Sequence, residues 1–172
     1  MPKTFVIAQG GGPTAVINQT MAGAALEARK RYPKSKVLGA LHGVRGIRDG
    51  KFVELHKIPE ADLKRIANTP SAALGSTRDK PDAAYTAQVL EGLKKVKADV
   101  FVNIGGNDTS GTQQILTDAA GGSMVFMHAP KTIDNDLMEN DHTPGFISAG
   151  EFVAGAFKSV DLDFRALRGM YV

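Results

Sequence analysis

Apolar positions along the chain follow two alternating patterns, short continuous runs and longer segments with apolar residues at helical spacing. The runs Phe5–Ala8 and Val100–Ile104 each precede a cluster of glycines. A helical pattern follows each cluster, carried first by Val16, Ile17, Met21, Ala24, Ala25 and Ala28 and later by Ile115, Leu116 and Ala119. Continuous apolar strands that alternate with amphipathic helices are typical of βα units on a parallel sheet. The pattern therefore predicts an α/β fold.

The same patterns predict several further elements. We expect strands at Lys36–Leu41 and Met124–Met127, and helices at Ala61–Ala67 and Ile147–Val160. Pro81 suits the first turn of another helix, because its missing N–H would be unpaired there in any case. The turn pair Asp49-Gly50 lies between two apolar stretches. It predicts a short hairpin across residues 44–55.

Composition narrows the class of protein. The chain has 172 residues, a formal net charge of +3, 42% hydrophobic residues and no cysteine. This length suits one domain, or one lobe of a larger enzyme. The lack of cysteine excludes disulfides, thiolate zinc sites and a cysteine nucleophile. No apolar run is long enough to span a membrane and the N-terminus does not resemble a signal peptide, so we predict a cytoplasmic protein without a membrane partner. The charge suits anionic ligands but is too small to indicate nucleic-acid binding.

The first glycine cluster superficially matches a dinucleotide-binding fingerprint, Gly10-x-Gly12-x-x-Ala15. That fingerprint also needs an acidic residue at the end of the second strand, to hold a ribose. Here the second strand ends in Ala40-Leu41-His42-Gly43. Pro13 also removes one N–H from the turn. We therefore favour a phosphate on the remaining glycine N–H groups over a dinucleotide.

The second glycine cluster opens a turn rich in hydroxyl groups, Gly105-Gly106-Asn107-Asp108-Thr109-Ser110-Gly111-Thr112. Glycines let a ligand approach the backbone, and the N-terminus of the following helix favours an anion. Asp108 is unexpected there, since a carboxylate repels phosphate unless a metal or a lysine intervenes. From spacing alone, Asp108 is either a helix cap or a site residue.

The loop Pro130-Lys131-Thr132-Ile133-Asp134-Asn135-Asp136 contains two carboxylates, an amide, a hydroxyl and an ammonium group. It follows a strand that we predict to be buried, so its polar groups should lie at a carboxyl end of the sheet, where open α/β folds bind ligands. A general base, a hydroxyl and a lysine are what phosphoryl transfer to an alcohol needs. An Asx-rich turn would use the same residue types.

These two segments together resemble the phosphofructokinase family, and more narrowly its pyrophosphate-dependent branch. Supporting matches run in order along the whole chain: Gly10–Gly12 with Pro13 and Asn18, Gly43-Val44-Arg45-Gly46-Ile47, Leu74-Gly75-Ser76-Thr77-Arg78, and Thr143-Pro144-Gly145-Phe146. The resemblance implies a doubly wound, mostly parallel sheet with helices on both faces. It also implies an enzyme that phosphorylates the C1 hydroxyl of fructose 6-phosphate, uses Mg²⁺ and assembles as a homo-oligomer.

The resemblance also implies roles for individual residues. Asp134 would accept the hydroxyl proton, and Thr132 and Asp136 would help to hold the sugar. Asn107 stands where the family often has a metal-binding aspartate, and an amide oxygen can still ligate a metal. Contacts to the phosphoryl donor would come from Gly11, Gly12, Arg78, Gly106 and Thr109.

Two positions bear on the choice of donor. Relatives that use ATP carry glycine at the positions of Asp108 and Lys131. A carboxylate at 108 would repel a nucleotide α-phosphate, and Lys131 would neutralise charge on the transferring phosphoryl group. The resemblance therefore implies pyrophosphate as the donor and a reversible reaction.

Family members are considerably longer than this chain, which stops at residues 168–172 just before the family's Met-Gly-Arg segment. We therefore expect residues 1–172 to form a single α/β lobe that resembles the N-terminal part of a phosphofructokinase, without the C-terminal lobe. Such a lobe should show weak or no activity alone and retain donor-type anion binding. Three alternatives stay open: an ATP-dependent sugar kinase, a relative of the nicotinamide-dinucleotide or lipid kinases, and a phosphate-binding module without turnover.

Overall fold

The computed structural model describes residues 2–167. Its strands are β1 (Thr4–Gln9), β2 (Lys36–Ala40), β3 (Phe52–Glu54), β4 (Val100–Gly105) and β5 (Val125–Pro130). Its helices are α1 (Ile17–Arg31), α2 (Val44–Arg48), α3 (Glu60–Ala67), α4 (Ala83–Lys95), α5 (Asn107–Ala120) and α6 (Phe146–Ala166), with a short 3₁₀ helix at Leu55–Lys57. The predicted strands and long helices are thus confirmed, with ends that shift by one to several residues.

The strands form one sheet in the order β3-β2-β1-β4-β5. Strands β1, β2, β4 and β5 are parallel, and β3 pairs antiparallel with β2. Register places Gln9 beside Ile104 and Gly105 beside Pro130. The carboxyl ends of β1, β4 and β5 therefore meet at one edge, where ligands bind in sheets of this kind.

Helices cover both faces of the sheet, which confirms the predicted fold class. Alternation along β1 sends Val6 and Ala8 to one face and Ile7 to the other. The first face packs on α2, α4 and α5 through a core of Val6, Ala8, Leu38, Ala40, Val44, Ile47, Val89, Leu90, Leu93, Phe101 and Leu116. The second packs on α1 and α3 through Ile7, Ile17, Met21, Ala25, Ala28, Val37, Leu55, Leu63, Leu74 and Ile104.

The chain divides into two compact units, one that ends at Lys131 and one that begins at Thr132. The first contains the whole sheet and helices α1–α5. The second contains a polar loop and α6, whose described residues are all at least partly exposed. Phe152 and Phe157 of α6 are 77% and 70% exposed. Organisation of residues 1–172 as a single lobe stays a prediction, and the segment 168–172 lies outside the described residues.

The predicted hairpin across residues 44–55 is wrong, because its first arm is helix α2. Gly43 adopts a left-handed φ of 65° at the end of β2 and starts the helix. Gly46 lies so close to the Leu41 carbonyl that a Cβ atom would overlap it. Val44 and Ile47, three residues apart, are both buried, which is helical and not strand spacing. Gly50, with φ 68°, follows the helix end.

Two smaller expectations also need correction. Pro81 lies just before the helix, because Asp82 is the N-cap of α4 and its side chain accepts a hydrogen bond from the Tyr85 N–H at 2.8 Å. Strand β5 was expected to be buried, but it is an edge strand with Val125 53% and Met127 54% exposed. No helix in the described range combines the length and apolarity needed to cross a bilayer.

Candidate functional site

A cleft of about 350 Å³ opens at the carboxyl ends of β1 and β4, within the first unit. Both glycine turns line it, together with the segment before α4 and the residue after β5. The lining residues are Gly10, Gly11, Gly12, Gly43, Val44, Thr77, Arg78, Asp79, Asn103, Gly106, Asn107, Asp108, Thr109, Thr112 and Lys131. Every residue expected to contact the donor or the metal is therefore brought together here.

The first glycine turn is closed by backbone hydrogen bonds. The Gly10 N–H donates to the Ile104 carbonyl at 2.8 Å, and the Gly11 N–H donates to the Thr77 carbonyl at 3.0 Å. These two N–H groups are therefore already paired within the backbone. Contact of Gly11 and Gly12 with a phosphoryl donor stays a prediction. Within residues 2–167, Gly12 is the glycine of this turn whose N–H has no partner.

The second glycine turn leads straight into a helix. Gly106 is the N-cap of α5 and has an extended backbone, and no side chain caps the helix. The N–H groups of Asn107, Asp108 and Thr109 therefore have no partner among the described residues. Three open N–H groups at the positive end of a 14-residue helix, all on cleft-lining residues, form an anion-binding feature.

Asp108 does not cap α5, so that alternative is wrong. It is the second residue of the helix and is largely exposed. Its carboxylate forms an ion pair with the Lys80 ammonium at 3.2 Å. Sequence reasoning missed Lys80, which supplies the neutralising charge that a carboxylate at this position needs.

Two cations flank Gly12. The Lys131 ammonium donates a hydrogen bond to the Gly12 carbonyl and lies 3.5 Å from where a Cβ atom of Gly11 would be. The Lys131 N–H donates to the Gly105 carbonyl at 2.9 Å, which ties the residue to the second glycine turn. The Arg78 guanidinium lies 3.7 Å from the Cβ position of Gly12. Among described residues, Arg78 forms neither a hydrogen bond nor an ion pair.

Thr109 joins the two glycine turns by packing. Its side chain is buried, and Cβ atoms added to Gly10 or Gly105 would both run into it. Its predicted contact with a donor is not tested by this geometry. The packing gives Gly10 and Gly105 a structural reason to lack side chains.

The segment that carries Arg78 is anchored by buried amides of the first βα unit. The Gln9 Oε1 atom accepts a hydrogen bond from the Leu74 N–H at 2.9 Å, and the Asn18 Oδ1 atom accepts one from the Ala73 N–H at 2.8 Å. Gln9 also donates to Asn18 at 3.0 Å. The position of Asn18 in the sequence motif thus has a structural explanation.

A second feature missed from the sequence is a polar network around Asp79. Its carboxylate accepts hydrogen bonds from the Arg45 guanidinium, at 3.0 and 2.5 Å, and from the Tyr85 hydroxyl at 2.6 Å. The bonds from Arg45 hold the pKa of Asp79 well below its usual range, so it is ionised at neutral pH. Burial, with help from the Asp79 bond, raises the pKa of Tyr85 to about 12.

The remaining predicted site residues, Thr132, Asp134 and Asp136, belong to the second unit. The Thr132 hydroxyl accepts a hydrogen bond from the Asp134 N–H at 3.0 Å. The Asn135 side chain accepts one from the Thr143 N–H at 2.6 Å, which closes the loop. Asn135 makes the turn, as expected for an Asx-rich loop. The exposed carboxylates of Asp134 and Asp136 have no hydrogen-bond partner in the described part of the chain, as a catalytic role would require. The structure is therefore compatible with both interpretations.

Possible metal ligands at the cleft are few. The described residues contain no cluster of three or more histidine, aspartate or glutamate side chains able to hold a metal ion. Asn107 and Asp108 offer an amide oxygen and a carboxylate at the cleft. Mg²⁺ is commonly held by one or two such oxygens together with substrate phosphates and water, so these residues fit it.

Comparison with known proteins places the chain in a family. A profile of the phosphofructokinase family matches residues 4–172. The chain belongs to the phosphofructokinase family. A relative from Rhodospirillum rubrum, named pyrophosphate–fructose 6-phosphate 1-phosphotransferase, is 52% identical over 97% of this chain. A relative of the same name from Xanthomonas campestris is 39% identical over 95% of it.

The phosphofructokinase fold is also found by structural comparison. A pyrophosphate-dependent phosphofructokinase from Nitrosospira multiformis superposes with a TM-score of 0.83 and 30% identity, over 95% of this chain and 42% of its own. The chain likewise spans 42% and 40% of the Rhodospirillum and Xanthomonas proteins. It thus spans about two fifths of the length of the relatives that it matches.

Proposed function

We propose that this chain forms the phosphoryl-donor site of a pyrophosphate-dependent phosphofructokinase. The whole protein would transfer a phosphoryl group from pyrophosphate to the C1 hydroxyl of fructose 6-phosphate and release phosphate and fructose 1,6-bisphosphate. The observation that carries the proposal is the uncapped N-terminus of α5, which opens on the same cleft as Arg78 and Lys131. Names of similar proteins support the same donor.

Charges around the cleft favour pyrophosphate over ATP. The cations and the α5 N–H groups suit a small, highly charged anion. Asp108 lies in the first turn of α5. By the family resemblance, its carboxylate would repel the α-phosphate of a nucleotide donor. The ion pair between Asp108 and Lys80 reduces the repulsion between the Asp108 carboxylate and pyrophosphate. An ATP-dependent kinase is the alternative that this carboxylate opposes.

The acceptor chemistry would come from the second unit. The sugar hydroxyl would lose its proton to Asp134 as its oxygen forms a bond to phosphorus, and the bond to the bridging oxygen of pyrophosphate would break. Lys131 would offset charge on the transferring group, and Thr132 and Asp136 would position the sugar. The Asp134 carboxylate is exposed and has no hydrogen-bond partner within residues 2–167, which is compatible with this role.

A magnesium ion would be held by Asn107 and Asp108 together with pyrophosphate oxygens. Its positive charge would help to neutralise the phosphoryl oxygens that these residues and the cleft cations face. We further propose that the whole protein acts in the cytoplasm, in glycolysis or gluconeogenesis, as a homo-oligomer. Nucleic acid and membranes are not among the proposed partners.

Calorimetric titration and an assay of fructose 1,6-bisphosphate test the proposal. With Mg²⁺ present, we expect the chain to bind pyrophosphate more tightly than ATP. The variant Asp108→Gly with Lys131→Gly should lose that preference, because it removes the two residues that distinguish the donors. Equal or tighter binding of ATP by the parent, or an unchanged preference in the double variant, would contradict the donor assignment.

The product assay separates an enzyme from a binding lobe. Product from pyrophosphate that disappears in Asp134→Asn would support both the reaction and the base. Pyrophosphate binding without product would support a phosphate-binding lobe that needs the rest of a longer protein. Product from ATP alone would favour the ATP-dependent alternative.

A further inference from the structure

We propose that Asp79 is a positioning residue that holds its neighbour Arg78 at the anion cleft. The inference rests on the proposed function, because it assumes that the cleft binds pyrophosphate. It gives a role to a carboxylate that, like Asp108, lines a site proposed to bind an anion.

The first step is the anchoring of Asp79 itself. Its carboxylate receives two hydrogen bonds from Arg45 on α2 and one from the Tyr85 hydroxyl on α4. The Asp79 side chain is only 19% exposed. A two-pronged arginine–carboxylate contact fixes orientation as well as distance. Asp79 is therefore bound to two helices that belong to the core.

The second step is the anchoring of the residues before Arg78. The Thr77 carbonyl accepts the Gly11 N–H at 3.0 Å, and the Thr77 hydroxyl accepts the Asp79 N–H at 3.1 Å. The Ser76 hydroxyl donates to the Gly11 carbonyl at 2.5 Å. The backbone is thus fixed on both sides of Arg78. Arg78 lines the cleft and has no partner among residues 2–167, so its guanidinium is available to a ligand.

The third step concerns charge. An ionised carboxylate in an anion site repels the ligand, so removing it should tighten binding if electrostatics alone decided the affinity. Asp79 also binds the Arg45 guanidinium, which would otherwise be available to an anionic ligand. Both effects should weaken binding of pyrophosphate. The presence of Asp79 is explained if holding Arg78 in position strengthens binding by more than these two effects weaken it.

The test is a double-variant cycle on pyrophosphate binding by the full chain, measured by calorimetry with Mg²⁺. Arg78→Ala should weaken binding about tenfold or more, as expected for loss of a charged hydrogen-bond donor. Asp79→Asn should weaken binding severalfold in the parent and less than twofold when Arg78 is already alanine. Unchanged or tighter binding in a folded Asp79→Asn variant would overturn the inference.

Two further variants control for charge and for folding. Asp82→Asn removes a nearby carboxylate outside the cleft and keeps a good helix cap, so its affinity for pyrophosphate should not fall. Tyr85→Phe removes one bond to Asp79 without changing any charge, so it should weaken binding in the same direction as Asp79→Asn. If Tyr85→Phe binds like the parent while Asp79→Asn is unfolded, the inference is wrong.

A readout without ligand separates this inference from the proposed function. In the ¹⁵N NMR relaxation of the free chain, the Arg78 amide should be rigid in the parent and mobile in Asp79→Asn. If Arg78 becomes mobile but pyrophosphate does not bind the parent, the proposed function fails and with it the purpose assigned to Asp79. If pyrophosphate binds and Arg78 stays rigid, only the inference fails.

Discussion

The two glycine turns follow adjacent parallel strands and look alike in the sequence, yet their backbone N–H groups are used differently. Helix α1 begins at Ile17, five residues after Gly12, whereas α5 begins directly after Gly106. The N–H groups of Gly10 and Gly11 are used within the backbone. Those in the first turn of α5 are open to the cleft. The first turn therefore shapes the site, and the second offers the ligand a helix N-terminus.

Both turns pack against the same side chain, Thr109, but to different depths. A Cβ atom on Gly10 would meet only the Thr109 hydroxyl, at 2.8 Å, with the other Thr109 atoms at 3.5 Å or more. A Cβ atom on Gly105 would lie 2.6 Å from the Thr109 Cβ and closer still to its hydroxyl. Gly105 therefore fixes where α5 starts, whereas Gly10 only has to avoid a hydroxyl.

Gly105→Ala should therefore destabilise the folded chain most. The Thr109 Cβ cannot rotate away, so the start of α5 must shift, which should lower the free energy of unfolding by about 2–3 kcal/mol. Gly10→Ala should cost less, about 1 kcal/mol, because a hydroxyl can change rotamer. Urea unfolding measures both. Equal losses in the two variants would contradict the comparison.

Removing the Thr109 hydroxyl should separate the two glycines further. Thr109→Ala should restore stability in the Gly10→Ala background, since it removes the hydroxyl, but not in Gly105→Ala, since the Cβ remains. Gly111→Ala is a matched control on the same helix, where nothing lies within 4 Å of an added Cβ. Alanine favours helix over glycine by up to about 1 kcal/mol, so this control should gain stability.

A smaller effect is expected at Gly11, where conformation decides instead of space. Gly11 has φ 72°, and its added Cβ would meet only the Lys131 ammonium at 3.5 Å. Alanine in this left-handed conformation should cost about 1–2 kcal/mol. Gly12→Ala, one residue away and without a positive φ, should lose less than about 0.5 kcal/mol. A loss at Gly12 as large as at Gly11 would show that crowding, not conformation, limits this turn.

Much of the fold was predictable because buried strands and amphipathic helices leave clear patterns. The βα units around β1 and β4 are examples. Helix α2 was not predictable in the same way. It is only five residues long. It depends on the close approach of Gly46 to the nearby Leu41 carbonyl and on that of Gly92, in a distant segment, to the Ile47 carbonyl. Exposure of β5 depends on its place at the sheet edge, which no local pattern encodes.

The site divides along the same lines. The cleft was indicated by glycines, hydroxyl groups and a lysine next to the ends of predicted strands. Arg78 and Lys131 were identified because they lie in motifs that resemble the phosphofructokinase family. Asp79 and Lys80 were missed, since each acts through a partner on another segment, Arg45 and Asp108. The use of the Gly11 N–H by Thr77 was also hidden, because backbone pairing between loops has no signature in residue type.

A weaker change in stability, dependent on pH, is expected at the second glycine turn. The Nε2–H of His128 on β5 donates to the Gly105 carbonyl at 3.0 Å, and burial lowers the pKa of His128. The folded chain therefore resists protonation that the unfolded chain accepts. His128 should contribute most to stability above the unfolded pKa of about 6.5, and this contribution should fall as the pH drops below it.

Urea unfolding of the parent and of His128→Gln, whose amide can still donate but does not titrate, isolates the effect from other groups. The stability difference between them should shift toward the variant as the pH falls from 7.5 to 5.5. A shift toward the parent would mean that the protonated ring is the one that the Gly105 carbonyl stabilises.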